Sequence, residues 1–98
     1  MFLWDEVKNR SNQQKHGISF NTAQLIFDDP LHVSRQDRYE NGEERWQTIG
    51  VVGGLALLLV VHTWHESDDE AGHQTEHRRI ISARRATKLE RKIYESNT

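Results

Sequence analysis

Apolar positions follow a helical spacing near both ends of the chain and an extended spacing between them. Phe20, Ala23, Ile26 and Phe27 fall at i, i+3, i+6 and i+7, one face of a helix, and Ala86, Leu89 and Ile93 repeat the pattern at i, i+3 and i+7. Between them LHVSRQDRY (31–39) reads as a polar strand and RWQTIGVVG (45–53) as a second. LALLLVVHTW (55–64) reads as a third, apolar on both faces, which places it at a sheet centre with helices on one side. HRRIISA (77–83) reads as the last strand, and Phe2, Leu3 and Trp4 as a short first one.

Boundary residues sharpen these elements. Asp5 is suited to cap a helix over 6–15, and Gly17 to end it. That helix is so polar that Val7 is nearly its lone apolar anchor, so it should lie on the surface. Ser19 caps the second helix, which Asp28, Asp29 and Pro30 stop. Asn41-Gly42 signals a tight hairpin, and Gly53-Gly54 a further turn. Ser82 is the expected cap of the last helix. Residues 65–77, HESDDEAGHQTEH, are an acidic loop or a hairpin extension. The order predicts an α+β fold, two N-terminal helices and one C-terminal helix on an antiparallel sheet of three to five strands.

At 98 residues the chain has room for one domain, 1–98. It has no cysteine, which excludes disulfides and thiolate metal sites. The apolar run at 51–61 is broken by glycines and too short to span a bilayer, and the N-terminus lacks the layout of a signal peptide. A cytoplasmic protein without membrane contact is the expectation, and no cofactor is expected. His62, His65, His73 and His77 among acids raise a metal alternative, but their spacing is not that of a structural zinc site, so none is expected. Trp4, Trp46 and Trp64 are expected in the core, with Trp64 the one to be exposed if any is.

Charge changes the picture more. Residues 1–77 carry 6 basic and 13 acidic side chains, residues 78–98 carry 7 and 2. A helix capped at Ser82 would hold Arg84 and Arg85 in its first turn, where the dipole disfavours cations. With the free amides of a helix start, the two guanidinium groups would form an anion site suited to phosphate. A solvated basic face with surface ion pairs is the alternative.

The segments FLWDEVKNRSNQQKHGISFNTAQLIFDDP, GEERWQTIG and RRIISARRATKLERKIYE together resemble the BrnT family of toxins from type II toxin–antitoxin pairs. The most specific pieces are Trp4-Asp5 with Lys8 and Asn9, Lys15-His16-Gly17 with Phe20, Asp28-Asp29-Pro30, Glu44-Arg45, and Arg79 through Ala86. The 65–77 segment departs from the simplest family pattern. The resemblance implies a RelE-like fold and a ribonuclease that blocks translation. It implies neutralisation by a ribbon-helix-helix antitoxin of the BrnA kind, two toxins per antitoxin dimer, with operator DNA bound only through the antitoxin.

A metal-independent ribonuclease needs a base for the 2′-hydroxyl, an acid for the leaving 5′-oxygen, and cations for the phosphorane. Arg79, Arg84 and Arg85 are candidates for the cations, with Lys8, Lys88 and Arg45 contacting substrate. His16 is a candidate for proton transfer, or else a cation seated at a helix C-terminus. Glu44 is a candidate base, or orients Arg45 or another arginine. Tyr94 either contacts a base or packs beside Ile93. Two other functions stay open on the same basic face: an RNA- or DNA-binding module that does not cut, and a surface for an acidic protein partner.

Overall fold

A computed structural model describes residues 1–53, 56–68 and 70–97 of the chain. In chain order they form β1 (Phe2–Leu3), α1 (Glu6–His16), α2 (Phe20–Ala23), a 3₁₀ turn (Gln24–Asp28), β2 (Val33–Glu40), β3 (Glu43–Val52), β4 (Ala56–Asp68), β5 (Gln74–Arg85) and α3 (Lys88–Glu95). The strands make a five-stranded sheet of order β1-β5-β4-β3-β2. The two-faced apolar run therefore lies at the centre, with Leu57, Leu58, Leu59 and Val60 buried and Val61 half-buried. Gly54 and Leu55, assigned above to a turn and to the start of this strand, lie outside the described residues.

The sheet is mixed, because β1 pairs parallel with β5 while the other pairs are antiparallel. Its helices occupy both faces, not one. Leu58 and Val60 pack with Phe20, Ala23, Ile26, Ile80 and Ala83 under α2. Leu57 and Leu59 point the other way and join Ile49 with Ala86, Ile93 and Tyr94 of the α3 side. A strand buried on both faces needs a cover on each, which one layer of helices cannot supply. Gly50 serves the first face by having no side chain: a Cβ there would stand 2.9 Å from Ile26 Cβ.

Local signals act as read at several boundaries. The Asp5 side chain accepts from Val7 N–H, the Ser19 side chain from Thr22 N–H, and Gly17 adopts φ 71° at the end of α1. Asn41 and Gly42, at φ 54° and 75°, make the two-residue hairpin turn. Val7 is not the anchor of α1, being exposed. Two buried asparagines hold the helix instead. Asn12 Nδ2 donates to Ile18 O and Ala83 O, both at 2.9 Å, and Ala83 N–H donates to Asn12 Oδ1 at 3.1 Å. Asn9 Oδ1 accepts from Phe20 N–H at 2.9 Å. Each such bond contributes about 1 kcal/mol net, so the set does the work of an apolar face.

The chain end differs most from expectation. Ser82 caps nothing: residues 82–85 continue β5, pairing with Val61, Val60, Leu59 and Leu58. The helix begins five residues later at Thr87, whose side chain accepts from Glu90 N–H while Glu90 accepts from Thr87 N–H. This capping box outcompetes a lone serine, and sheet pairing buries Ala83 in the core. Arg84 and Arg85 are thus strand residues outside any helix start, and the phosphate site assigned to the first turn of a helix does not form. Leu89 consequently faces solvent. Apart from Asp69, which lies outside the described residues, the acidic 65–77 segment is a hairpin extension of β4 and β5, with His65 opposite His77 and Glu66 opposite Glu76.

His62 lies in the core at 2 % exposure. Its Nδ1 lies 3.3 Å from Thr63 O and its Nε2 2.7 Å from Thr48 Oγ1, which contacts Ser34 Oγ at 2.7 Å. A proton on Nδ1 satisfies this chain, with Thr48 donating to Nε2. Burial lowers the His62 pKa from 6.5 to about 4. A depressed folded pKa means the unfolded chain binds the extra proton first, so stability falls as pH drops from 6.5 toward 4. The loss should total about 3 kcal/mol, with a clear fraction present by pH 5. Urea denaturation at pH 7 and pH 5 measures it, and His62→Gln should flatten that part of the pH dependence.

Candidate functional site

The two-residue turn at Asn41-Gly42 sets Glu40 opposite Glu43 and Arg38 opposite Arg45. Across the next strands Arg45 faces Thr63, and Thr63 faces Arg79. Directly paired residues share a sheet face, so Arg38, Arg45, Thr63 and Arg79 form one row across four strands. Glu40, Glu43, His65 and His77 form the neighbouring row on the same face. On this side α3 covers Ile49, Leu57 and Leu59 farther along the strands.

The groups in these rows touch. Arg79 Nη2 lies 2.6 Å from Glu43 Oε1, and His65 Nε2 lies 3.3 Å from Glu43 Oε2. Arg45 Nη1 lies 2.7 Å from Glu40 Oε2, and Arg38 Nε 3.4 Å from the same oxygen. Arg79 and His65 keep about half of their side-chain surface in water, at 45 % and 52 %. Between the arginines Thr63 is fully buried, and among the described residues neither its Oγ1 nor Arg45 Nε has a protein partner. Unpaired buried polar atoms beside two guanidinium groups are a cost to folding. Chemically the face offers two cations, a carboxylate and an imidazole within reach of one small group. Among the described residues no cluster suited to a metal ion is found.

The expected site residues divide. Arg79 and Arg45 come together here. Arg84 shares this face farther along β5, but it is bound to Glu90 through Nη1 and Nη2 at 2.7 and 2.8 Å. That pair lowers the Glu90 pKa from 4.5 to about 2 and raises that of Arg84. Arg85 alternates to the opposite face, and Lys88 lies exposed at the start of α3. The single cationic patch expected from Arg79, Arg84, Arg85 and Lys88 is therefore not contiguous. Glu44 points away from Arg45 and lies opposite Tyr39, so Glu43 is the carboxylate that meets Arg79, while Glu40 meets Arg45. Lys8 and His16 line a groove between α1 and β5. Tyr94 packs on the α3 side and donates to Asp29 Oδ2 at 2.6 Å, a bond that pushes its pKa up to about 12. Trp64 is partly exposed, with Arg78 stacked 4.4 Å over its ring and 4.5 Å over that of Phe27.

Neither Glu43 nor His65 was among the sequence-based candidates for proton transfer. The turn held the signal for Glu43, since a two-residue hairpin pairs residues 40 and 43 and places 45 on the same side. His65 lies beyond the second turn, where the residue count alone leaves the register open.

Residues 4–90 match the family described as the ribonuclease toxin, BrnT, of type II toxin–antitoxin systems. Among solved structures the chain is similar to the crystal structure of the Brucella abortus ribonuclease toxin, BrnT. The TM-score is 0.57 at 27 % identity, over 90 % of this chain and 99 % of that one. No curated protein matches it.

Proposed function

Because the chain belongs to the BrnT family of ribonuclease toxins of type II toxin–antitoxin systems, we propose that it cuts RNA internally at the uncovered sheet face, without a metal ion, and so stops translation. The observation carrying this reading is the contact of Glu43 with both Arg79 and His65, beside Arg45 and the unpaired Thr63 hydroxyl.

The scissile phosphate lies over the Arg45–Thr63–Arg79 row, its non-bridging oxygens held by the two guanidinium groups. Glu43, oriented by Arg79, takes the proton from the 2′-hydroxyl as that oxygen attacks phosphorus. The bond from phosphorus to the 5′-oxygen breaks, and protonated His65 supplies the proton to the leaving oxygen. The products are a 2′,3′-cyclic phosphate and a 5′-hydroxyl. Glu43 then returns its proton to His65 across the 3.3 Å contact, which resets the site. Charge grows on the phosphorane in the transition state, so fixed cations stabilise that state more than bound substrate.

A toxin of this family is paired with a cognate antitoxin. That partner is proposed to be a ribbon-helix-helix dimer holding two toxins. It lays an acidic segment across Arg45 and Arg79, and it alone contacts operator DNA. The test of function is purified protein incubated with RNA in EDTA. Internal cleavage leaving cyclic phosphate ends is expected. A shifted but intact RNA would leave a binding module in its place, and neither outcome would leave a surface for protein alone.

A further inference from the structure

The groove between α1 and β5 has about 250 Å³ of space, and its lining includes Lys8, Ser11, Asn12, Lys15, His16 and Ser82. Positions 8, 11, 12 and 15 fall at i, i+3, i+4 and i+7, the spacing of a single helix face. A helix resting on a sheet normally turns apolar side chains along such a face. Here Lys8, Ser11 and Lys15 are exposed along it and only Asn12 is buried, the helix being held by asparagine hydrogen bonds to the backbone instead. Polar anchoring fixes α1 while leaving the rest of that face free to meet a ligand.

The two lysines differ from the arginines of the sheet. Arg45, Arg79 and Arg84 each have a carboxylate within salt-bridge distance, whereas Lys8 and Lys15 have none among the described residues. Lys8 also stands in the first turn of α1, two residues after Glu6, where the helix dipole opposes a cation. An unpaired cation in an unfavourable local field has its compensation elsewhere. Strand β1 covers β5 only at Arg78 and Arg79, so the edge of β5 is open from there to the groove. Ser82 lies three residues beyond Arg79, about 10 Å along the strand. A bulge at Ile81 separates them, as the pairing of β5 with β4 shifts register between Ser82 and Ile80.

We infer that this groove is a second RNA-backbone site, in which Lys8 and Lys15, with the hydroxyls of Ser11 and Ser82, hold phosphates flanking the one cut on the sheet face. The inference rests on the proposed ribonuclease reading and extends it. The RNA strand leaves Arg79, passes over the open edge of β5 and enters the groove beside α1. The groove carries no reacting group in this assignment. It lengthens the footprint and makes affinity depend on RNA length.

Single-stranded RNA bearing 2′-O-methyl groups, which cannot be cut by 2′-oxygen attack, is the probe, used as a trinucleotide and as an oligomer several times longer. Wild-type protein should bind the longer RNA at least tenfold more tightly. In Lys8→Ala/Lys15→Ala that gain should shrink to about twofold or less. The slope of log affinity against log salt should fall in magnitude by about 1.4, each phosphate contact on a single strand contributing about 0.7. Unchanged thermal unfolding shows the variant folded. If the variant keeps the full gain with length and the wild-type salt slope, the groove assignment is overturned while the sheet-face site stands. If wild-type protein binds neither RNA, both readings fall together.

Discussion

Arg79→Ala is expected to lower kcat on RNA by about a hundredfold or more, the usual cost of removing a preorganised stabiliser of transition-state charge. The side chain contacts Glu43 and lies in one row with Arg45, two strands away across Thr63, so its loss disturbs both the phosphate and the base. Arg45→Ala should cost a comparable factor. The double variant should fall less than the product of the two, since the groups act on one transition state. Stability should change little in Arg79→Ala, because Arg79 keeps about half of its side-chain surface in water. Arg85→Ala, on the other face, should stay within about threefold of wild type in single-turnover cleavage. Full activity in the Arg79 variant would remove the sheet-face site.

Glu90→Ala is the largest expected loss of stability, about 2 to 3 kcal/mol. Glu90 is buried and accepts from both guanidinium nitrogens of Arg84 and from Thr87 N–H. Losing the cap alone costs about 1 kcal/mol. Breaking a buried ion pair costs about 3 to 5 kcal/mol, but Arg84 is 37 % exposed and water recovers part of that. The unfolding midpoint should fall by roughly 10 °C in a domain of this size. Glu90→Gln should recover a part, keeping the cap and losing the charge. Because the Glu90 pKa is depressed, its stabilisation is present above pH 4.5 and is lost as pH falls toward 2. A midpoint unchanged in Glu90→Ala would show that α3 is held by Ile93 and Tyr94 without its cap.

The same pair explains where sequence reasoning succeeded and where it stopped. Asp5, Gly17, Ser19 and Asn41-Gly42 were legible because each acts on the backbone within a few residues. The central strand was legible because burial on both faces writes a continuous apolar run. Ser82 and Thr87 both offered a cap, and only the Thr87-x-x-Glu90 spacing distinguished them. Arg84 reads as a phosphate ligand from sequence, since its carboxylate partner lies six residues on, in a helix that starts at Thr87 and not at Ser82. The candidate face was half legible. Arg79 and Arg45 were readable as cations, but the parity that selects Glu43 over Glu44 comes from hairpin register. The approach of His65 comes from pairing across a turn that local spacing does not determine.

Glu43 and Glu44 are neighbours in sequence and point to opposite faces, which makes them the sharpest test of where the chemistry occurs. Single-turnover cleavage of one RNA in EDTA by wild type, Glu43→Gln and Glu44→Gln decides it. The expected result is a loss of about a hundredfold or more in Glu43→Gln and a rate close to wild type in Glu44→Gln, with both variants folded. Loss in Glu44→Gln with Glu43→Gln left active would contradict a site on the Arg45–Thr63–Arg79 face.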